Sequence, residues 1–149
     1  MGQQQLLLIV LGIVIVGLAV VAGIQAFATN QKKANVDALV LSSTTIASNA
    51  QAWLKTPVTM GGGLPVSGVV GDFSALTSLE FLGYSVNGGG DYQDLHGTYS
   101  IDVSTGDLVI TASSAAASGA GDNNLVCTTV SGAQLSDIVT VINPSIGSC

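Results

Sequence analysis

Residues 6–24 read LLLIVLGIVIVGLAVVAGI, and this stretch decides how the rest of the chain is interpreted. Every residue in it is apolar or glycine, and the first charged side chain of the sequence is Lys32. A helix rises about 1.5 Å per residue, so about 20 such residues match the roughly 30 Å hydrocarbon core of a bilayer. We therefore predict a membrane-spanning helix here, not the core helix of a soluble domain.

A cleaved secretory signal is the alternative explanation for an apolar stretch at this position. Such signals begin with basic residues, and their apolar part is only about 7–15 residues long. Residues 1–5 contain no Lys or Arg, and helical sequence continues past Ile24. These features argue against a removed signal.

The helical pattern extends far beyond the apolar run. Apolar side chains recur at helical spacing, with Ser43 completing the stripe and polar residues such as Asp37 and Gln51 on other faces. Pro57 stops the pattern, so we predict one helix from about Gln3 to about Leu54. The residues predicted to pack this half of the helix on the following domain are Val36, Leu39, Val40, Ala47, Ala50, Trp53 and Leu54.

The clearest β pattern follows later in the chain. Residues 98–103 alternate strictly, which predicts a strand with Tyr99, Ile101 and Val103 on one face. A turn at residues 104–107 returns the chain into a partner strand over residues 108–111. Two further strands are predicted over residues 125–130 and 138–142.

The connections between these elements give weaker signals. Residues 74–82 favour a short helix capped by Asp72 or Ser74. Residues 113–123, which are mostly small, are predicted to form a loop. Trp53 is interpreted as a core anchor. Its expected aromatic neighbours are Phe73, Phe81, Tyr84 and Tyr99.

The composition restricts the class of function. Charged residues make up 8% of the chain and the net charge is −6, with three Lys and no Arg. Nucleic-acid binding needs clustered cations that neutralise phosphates, so this composition excludes it. The polar surface must come from Ser, Thr, Asn and Gly. Such a surface suits a secreted protein that packs closely against copies of itself.

The two cysteines, Cys127 and Cys149, are interpreted as one disulfide formed in an oxidising compartment. Two free buried thiols are the alternative, which is disfavoured because Cys149 is the last residue of the sequence. Closing a loop of this length restricts the unfolded chain and is expected to stabilise the fold by roughly 3 kcal/mol.

The order of these elements resembles that of type IV pilins. The resemblance implies an α+β fold in which a long N-terminal α-helix, its hydrophobic half protruding, packs on a small antiparallel β-sheet with a C-terminal disulfide-closed loop. It divides the chain into a helix over residues 1–56 and a β-rich head over residues 57–149. Within the helix, residues 1–30 are the membrane or filament-core segment and residues 31–56 are amphipathic. Residues 127–149 form the disulfide region of the head.

The resemblance also implies a function. The chain is expected to be a structural subunit of an extracellular helical filament that supports adhesion, motility or surface attachment, and not an enzyme. Its implied partners are copies of itself, the inner membrane before assembly and the pilus assembly machinery; no cofactor or metal is implied. Small residues let apolar helices approach closely within such a filament. The residues expected to form its core are Gln5, Leu6, Leu7, Ile9, Val10, Gly12, Ile13, Val16, Gly17, Val20, Gly23 and Ile24.

The chain departs from the family pattern at its start. Gln5 stands where pilins usually carry a Glu that pairs with the N-terminal amine of a neighbouring subunit. The basic leader and the helix-breaking Pro of the family are also missing, so the site of any processing stays open. Gly costs about 1 kcal/mol relative to Ala within a helix. We therefore hypothesise that the helix loosens around Gly12–Gly17 inside the filament.

The alternative is a single-pass protein that displays a small extracytoplasmic domain, or a minor pseudopilin of a secretion system. Lys32 and Lys33 follow the apolar run, and this bias favours the cytoplasmic side for the residues after it. That conflicts with an exported head. The predicted disulfide and the Arg-free, Ser/Thr/Gly-rich body outweigh the conflict.

Two other candidate sites are disfavoured, and a third stays open. His96, with Asp94 two residues before it, lacks a nucleophile and is interpreted as a surface residue. Asn87, Asp91 and Asp94 carry oxygen ligands suited to Ca²⁺, but their spacing does not match an EF-hand, so a solvated acidic loop is preferred. Ser and Thr between residues 113 and 131 are potential acceptors of O-linked sugars.

Overall fold

The computed structural model describes residues 2–63, 72–114, 124–142 and 149. The chain divides into two compact units, Met1–Ala34 and Asn35–Cys149, and the boundary between them falls within the first helix. That helix, α1, spans Gly2–Lys55. It matches the predicted bounds to within one residue at each end.

The end of α1 follows from the residues that come after it. Pro57 disfavours helical backbone at the preceding residue, so the helix stops at Lys55. The carbonyl oxygen of Trp53 then accepts hydrogen bonds from the backbone N–H groups of Thr56 and Gly63, both at 3.0 Å. These two bonds satisfy a carbonyl that would otherwise lack an intrahelical partner.

The second unit contains one antiparallel sheet whose strands follow each other in sequence order. Strand β1 is short and spans Tyr92–Gln93, and β2 spans Gly97–Ser104. Strand β3 spans Asp107–Ser114, β4 spans Leu125–Val130 and β5 spans Ile138–Ile142. The predicted strands are confirmed, and β4 and β5 have exactly the predicted bounds.

The turn between β2 and β3 sets the register of the central hairpin. Ser104 pairs with Asp107, so only Thr105 and Gly106 form the loop. Both have positive φ, 55° and 91°, as a two-residue turn that matches the strand twist requires. This register places Tyr99 opposite Ala112 and Ile101 opposite Ile110 on the face that packs against α1.

The core lies between the second half of α1, one face of the sheet and the segment that joins them. Its buried apolar side chains come from elements far apart in sequence, so burial ties the helix to the strands. Each leucine-sized side chain buried in this way contributes about 1.5–3 kcal/mol. The largest fully buried apolar residues are Leu39, Ile46, Leu54, Phe73, Leu76, Leu79, Tyr99, Leu108, Ile110, Val126 and Val130.

The helix predicted over residues 74–82 is wrong. Two separate 3₁₀ turns, Phe73–Ala75 and Leu79–Leu82, occupy this segment. Each begins at a capping side chain, Asp72 for the first and Ser78 for the second. Because Ser78 has extended backbone and its hydroxyl accepts from the N–H of Glu80, the first turn cannot continue into the second.

Two other expectations need correction. Residues 113 and 114, predicted to be loop, continue β3 and pair with β2, while residues 115–123 lie outside the described part of the chain. Phe81, expected beside Trp53, is 56% exposed. It lies in a 3₁₀ turn in which Leu79 is the buried side chain, so the Phe81 ring faces solvent instead.

Candidate assembly surface

The first unit consists of the described helical residues 2–34, and all of them are exposed. The large apolar side chains between Leu6 and Ile24 keep between 51% and 67% of their surface accessible. Exposing apolar surface to water costs about 25 cal/mol per Å². The segment therefore requires a covering of lipid or protein.

All residues expected to form a filament core share this exposed surface of α1. The apolar side chains surround the helix and do not form a single stripe, which is typical of a helix covered on every side. By length and composition α1 can cross a membrane. The residues expected to form the filament core, all of them exposed, are Gln5, Leu6, Leu7, Ile9, Val10, Gly12, Ile13, Val16, Gly17, Val20, Gly23 and Ile24.

Three glycines interrupt the large side chains of this segment. A Cβ atom added to Gly12, Gly17 or Gly23 meets no other atom within 4 Å. Nothing within the chain therefore requires glycine at these positions. The helix is continuous through them, and its predicted loosening concerns the assembled filament and stays a hypothesis.

The second half of α1 packs as its apolar stripe predicts. Leu39, Ala47, Ala50 and Leu54 are buried, and Val36 and Val40 pack against the core at their partly buried positions. Trp53 is 9% exposed. Its indole N–H donates to the carbonyl oxygen of Gly61 at 2.9 Å, so the ring holds the chain just after the helix.

A chain of hydroxyl groups crosses the core from the sheet to the helix. The Thr128 hydroxyl donates to the Ser43 oxygen at 3.1 Å, and the Ser43 hydroxyl donates to the carbonyl of Val40 at 3.0 Å. A hydroxyl has only one proton, so Thr140, 3.1 Å from Thr128, must donate to it. Ser43 and Thr128 are fully buried, and these bonds satisfy both of them.

Gln51 makes a buried structural contact that the sequence pattern does not predict. The helical pattern assigns Gln51 to a face other than the apolar stripe, but it is only 8% exposed. Its amide group donates to the carbonyl oxygens of Gly132 at 2.9 Å and Gln134 at 2.6 Å. The signal for its burial was its position within the buried stripe, one residue after Ala50 and three before Leu54.

The loop before β2 is organised by one carboxylate. Asp94 Oδ1 accepts from the backbone N–H groups of His96 at 2.7 Å and Gly97 at 2.9 Å. Asp94 Oδ2 accepts from the Tyr99 hydroxyl at 3.2 Å. Asp94 therefore contacts the backbone of His96 and holds the loop in shape. Burial, with Asp94 nearby, raises the pKa of Tyr99 to about 12.

The Asn87–Asp91 loop also uses its polar atoms internally. Asn87 Oδ1 accepts from the N–H groups of Gly89 at 2.9 Å and Asp91 at 3.1 Å. Within the described residues, no three His, Cys, Asp or Glu side chains form a group able to hold a metal ion.

The predicted disulfide between Cys127 and Cys149 is confirmed, with 5.4 Å between the two Cα atoms. Cys127 lies in β4, and the Thr111 hydroxyl of the neighbouring β3 is 3.1 Å from Cys149 Sγ. The bridge therefore attaches residue 149 to the middle of the sheet.

No protein-family model, characterised protein or solved structure matches this chain. The chemistry and geometry of its own residues are therefore the basis for proposing a function.

Proposed function

We propose that the chain is the structural subunit of an extracellular helical filament of the type IV pilin kind. The observation that supports this most directly is the uncovered apolar surface of α1 over residues 6–24. In the proposal, lipid covers that surface in the membrane pool, and the same surfaces of other copies cover it in the filament. The second unit, with its own core and disulfide, coats the outside.

The composition of α1 supports both stages of this proposal. A charged side chain would be costly in lipid and in a protein core, and residues 2–31 carry none. Gly12, Gly17 and Gly23 remove side-chain bulk where neighbouring helices approach. Their freedom from contacts within the chain leaves room for a neighbouring helix at these positions.

The competing function is that of a single-pass anchored domain, which the lysine pair at residues 32 and 33 supports. An anchor needs an apolar helix but does not need close contact between helices. The two functions therefore differ in how they respond to added bulk at the glycines.

Cryo-electron microscopy of fibres sheared from cells that express the chain tests the proposal. We expect helical fibres whose core density is filled by residues 6–54 of α1. Finding the chain only as a dispersed membrane species would refute the filament and support the anchored domain.

A matched pair of variants makes the test sharper. Gly17→Leu keeps the segment apolar, and the space around a Cβ atom at this position is open, so membrane insertion should be unchanged. We expect it to abolish fibres, because the added side chain separates helices that must touch. Leu18→Ile, which changes shape at the next position without adding volume, should leave fibres intact. Equal fibre yield from both variants would contradict close packing at Gly17.

A further inference from the structure

The Asn87–Asp91 loop contains the only asparagine of the sequence that is followed by glycine, Asn87 before Gly88. Glycine has no Cβ atom to crowd its backbone nitrogen or to restrict rotation around it. Both residues are exposed, and a Cβ atom built on Gly88 meets nothing within 4 Å. The nitrogen of Gly88 is therefore accessible to the side-chain amide that precedes it.

Within the described part of the chain, every backbone N–H group of residues 87–91 donates a hydrogen bond except that of Gly88. The N–H of Asn87 donates to the carbonyl oxygen of Asp91 at 2.8 Å, and the N–H of Gly90 donates to the carbonyl oxygen of Asn87 at 3.0 Å. The N–H groups of Gly89 and Asp91 both donate to Asn87 Oδ1. The loop is therefore held in shape while the Gly88 nitrogen stays free to react.

The side-chain amide of Asn87 is arranged as the electrophile for that nitrogen. The bond from the Gly89 N–H, at 2.9 Å, folds the amide back over the peptide bond between Asn87 and Gly88. With the Asp91 N–H at 3.1 Å, two donors point at the same carbonyl oxygen. Paired N–H groups of this kind stabilise the negative charge that develops on oxygen when a carbonyl carbon is attacked.

We propose that Asn87 is a site of spontaneous deamidation in the folded chain, with the loop supplying the reacting groups. The Gly88 nitrogen attacks Asn87 Cγ and closes a five-membered succinimide ring, and its proton passes to water. The bond between Cγ and Nδ2 breaks, and the nitrogen takes a proton from water and leaves as ammonia. A water molecule then opens the ring at either carbonyl carbon, which gives aspartate or isoaspartate at position 87. The reaction concerns the second unit alone and does not depend on filament assembly.

Both products change the hairpin that carries the loop. Each adds one negative charge to a chain whose net charge is −6. Isoaspartate also adds one atom to the main chain between Val86 and Tyr92, which pair as an antiparallel bridge. The Tyr92 ring stacks on that of Tyr99, with 5.6 Å between the ring centroids. Deamidation would therefore be a slow, one-way change at the edge of the sheet.

Ageing the freshly purified full chain in detergent micelles at mildly alkaline pH tests the proposal. A protease that cuts after tyrosine releases residues 85–92, in which Asn87 is the only side-chain amide. That fragment should gain about 1 Da and become a substrate for an isoaspartate-specific methyltransferase. The reaction should be at least as fast as in a synthetic peptide of residues 85–92 with blocked ends. A slower reaction in the folded chain than in the peptide would overturn the proposal.

Two variants and an internal control identify the attacking nitrogen. Gly88→Ala should lower the rate about tenfold or more, because the methyl group crowds the nitrogen without meeting another atom of the loop. Ser85→Ala, an exposed position in the same fragment, should leave the rate unchanged. Asn49, whose amide donates to the Tyr84 hydroxyl at 2.7 Å, should keep its mass. Equal rates in Gly88→Ala and the native chain, or aspartate without isoaspartate, would refute attack by Gly88.

Discussion

The buried amide of Gln51 gives the most demanding test of how the second unit is held together. Gln51→Glu keeps the size and shape of the side chain and replaces the NH₂ donor with an oxygen. That oxygen would face the carbonyl oxygens of Gly132 and Gln134, which now accept at 2.9 Å and 2.6 Å. Two hydrogen bonds are lost, and a carboxylate is placed where it repels its neighbours.

The magnitude follows from those two contacts. Each lost hydrogen bond costs about 1 kcal/mol, and a buried group left unpaired adds about 1–3 kcal/mol. We expect Gln51→Glu to lower the free energy of unfolding by about 3 kcal/mol or more at pH 7. The control Gln51→Leu loses the same bonds without adding a charge, so its loss should be about 2 kcal/mol.

The pH dependence separates the two variants. The facing carbonyl oxygens and burial should raise the pKa of the new carboxyl group above about 4.3, its value in the unfolded chain. A raised folded-state pKa means that the folded chain holds the proton more tightly. The penalty relative to the native chain should therefore be smallest below about pH 4.3 and should grow as pH rises through the folded-state pKa. The penalty of Gln51→Leu should not change with pH.

Chemical denaturation of the full chain in detergent micelles, followed by the fluorescence of Trp53, measures both effects. Trp53 is the single tryptophan, and it reports on the end of α1 near Gln51. A Gln51→Glu penalty below about 1 kcal/mol at pH 7 would refute the reasoning, since one lost hydrogen bond alone costs that much. A penalty with the same value at pH 4 and pH 7 would also refute it.

Three further changes test other contacts. Burial raises the pKa of Tyr99 to about 12, so the stability that its protonated hydroxyl contributes should be present below about pH 10 and lost between pH 10 and 12. Absorbance titration at alkaline pH should show one of the three tyrosines ionising last. Replacing the disulfide by Cys127→Ala/Cys149→Ser should lower the free energy of unfolding by roughly 3 kcal/mol, and an unchanged denaturation midpoint would contradict this. Gly97→Ala places a methyl group against the backbone of Ser113, so it should lower the free energy of unfolding by about 1–3 kcal/mol in the same assay. The control Gly88→Ala, whose added methyl group meets no atom within 4 Å, should lower it by less.

The long helix and the strands could be predicted from sequence because each has a local signal, and the disulfide because the sequence has only two cysteines. The helix carries an unbroken apolar run, then a stripe, and ends just before Pro57. Strict alternation over residues 98–103 and a two-residue turn at Thr105–Gly106 place the central hairpin. These signals depend on neighbouring residues alone, so they survive without knowledge of the tertiary structure.

The features that were missed depend either on a partner distant in sequence or on local side-chain hydrogen bonds that hydrophobic periodicity does not reveal. Gln51 is buried because two carbonyl oxygens, 81 and 83 residues later, face its amide. The segment over residues 73–82 breaks into two 3₁₀ turns because Asp72 and Ser78 hydrogen-bond to the backbone in competition with helix formation. The apolar character of Leu95 was visible in the sequence, but its exposure follows from a loop conformation that Asp94 maintains.

The boundary between the two units coincides with a chemical feature of the sequence. The chain has only three sites for a protease that cuts after Lys or Arg, and two of them, Lys32 and Lys33, directly precede that boundary. The third, Lys55, ends the helix. Such a protease would separate the apolar segment from the disulfide-linked unit at a point that neighbouring copies would shield in the proposed filament. Resistance to cleavage would then distinguish assembled from dispersed chains.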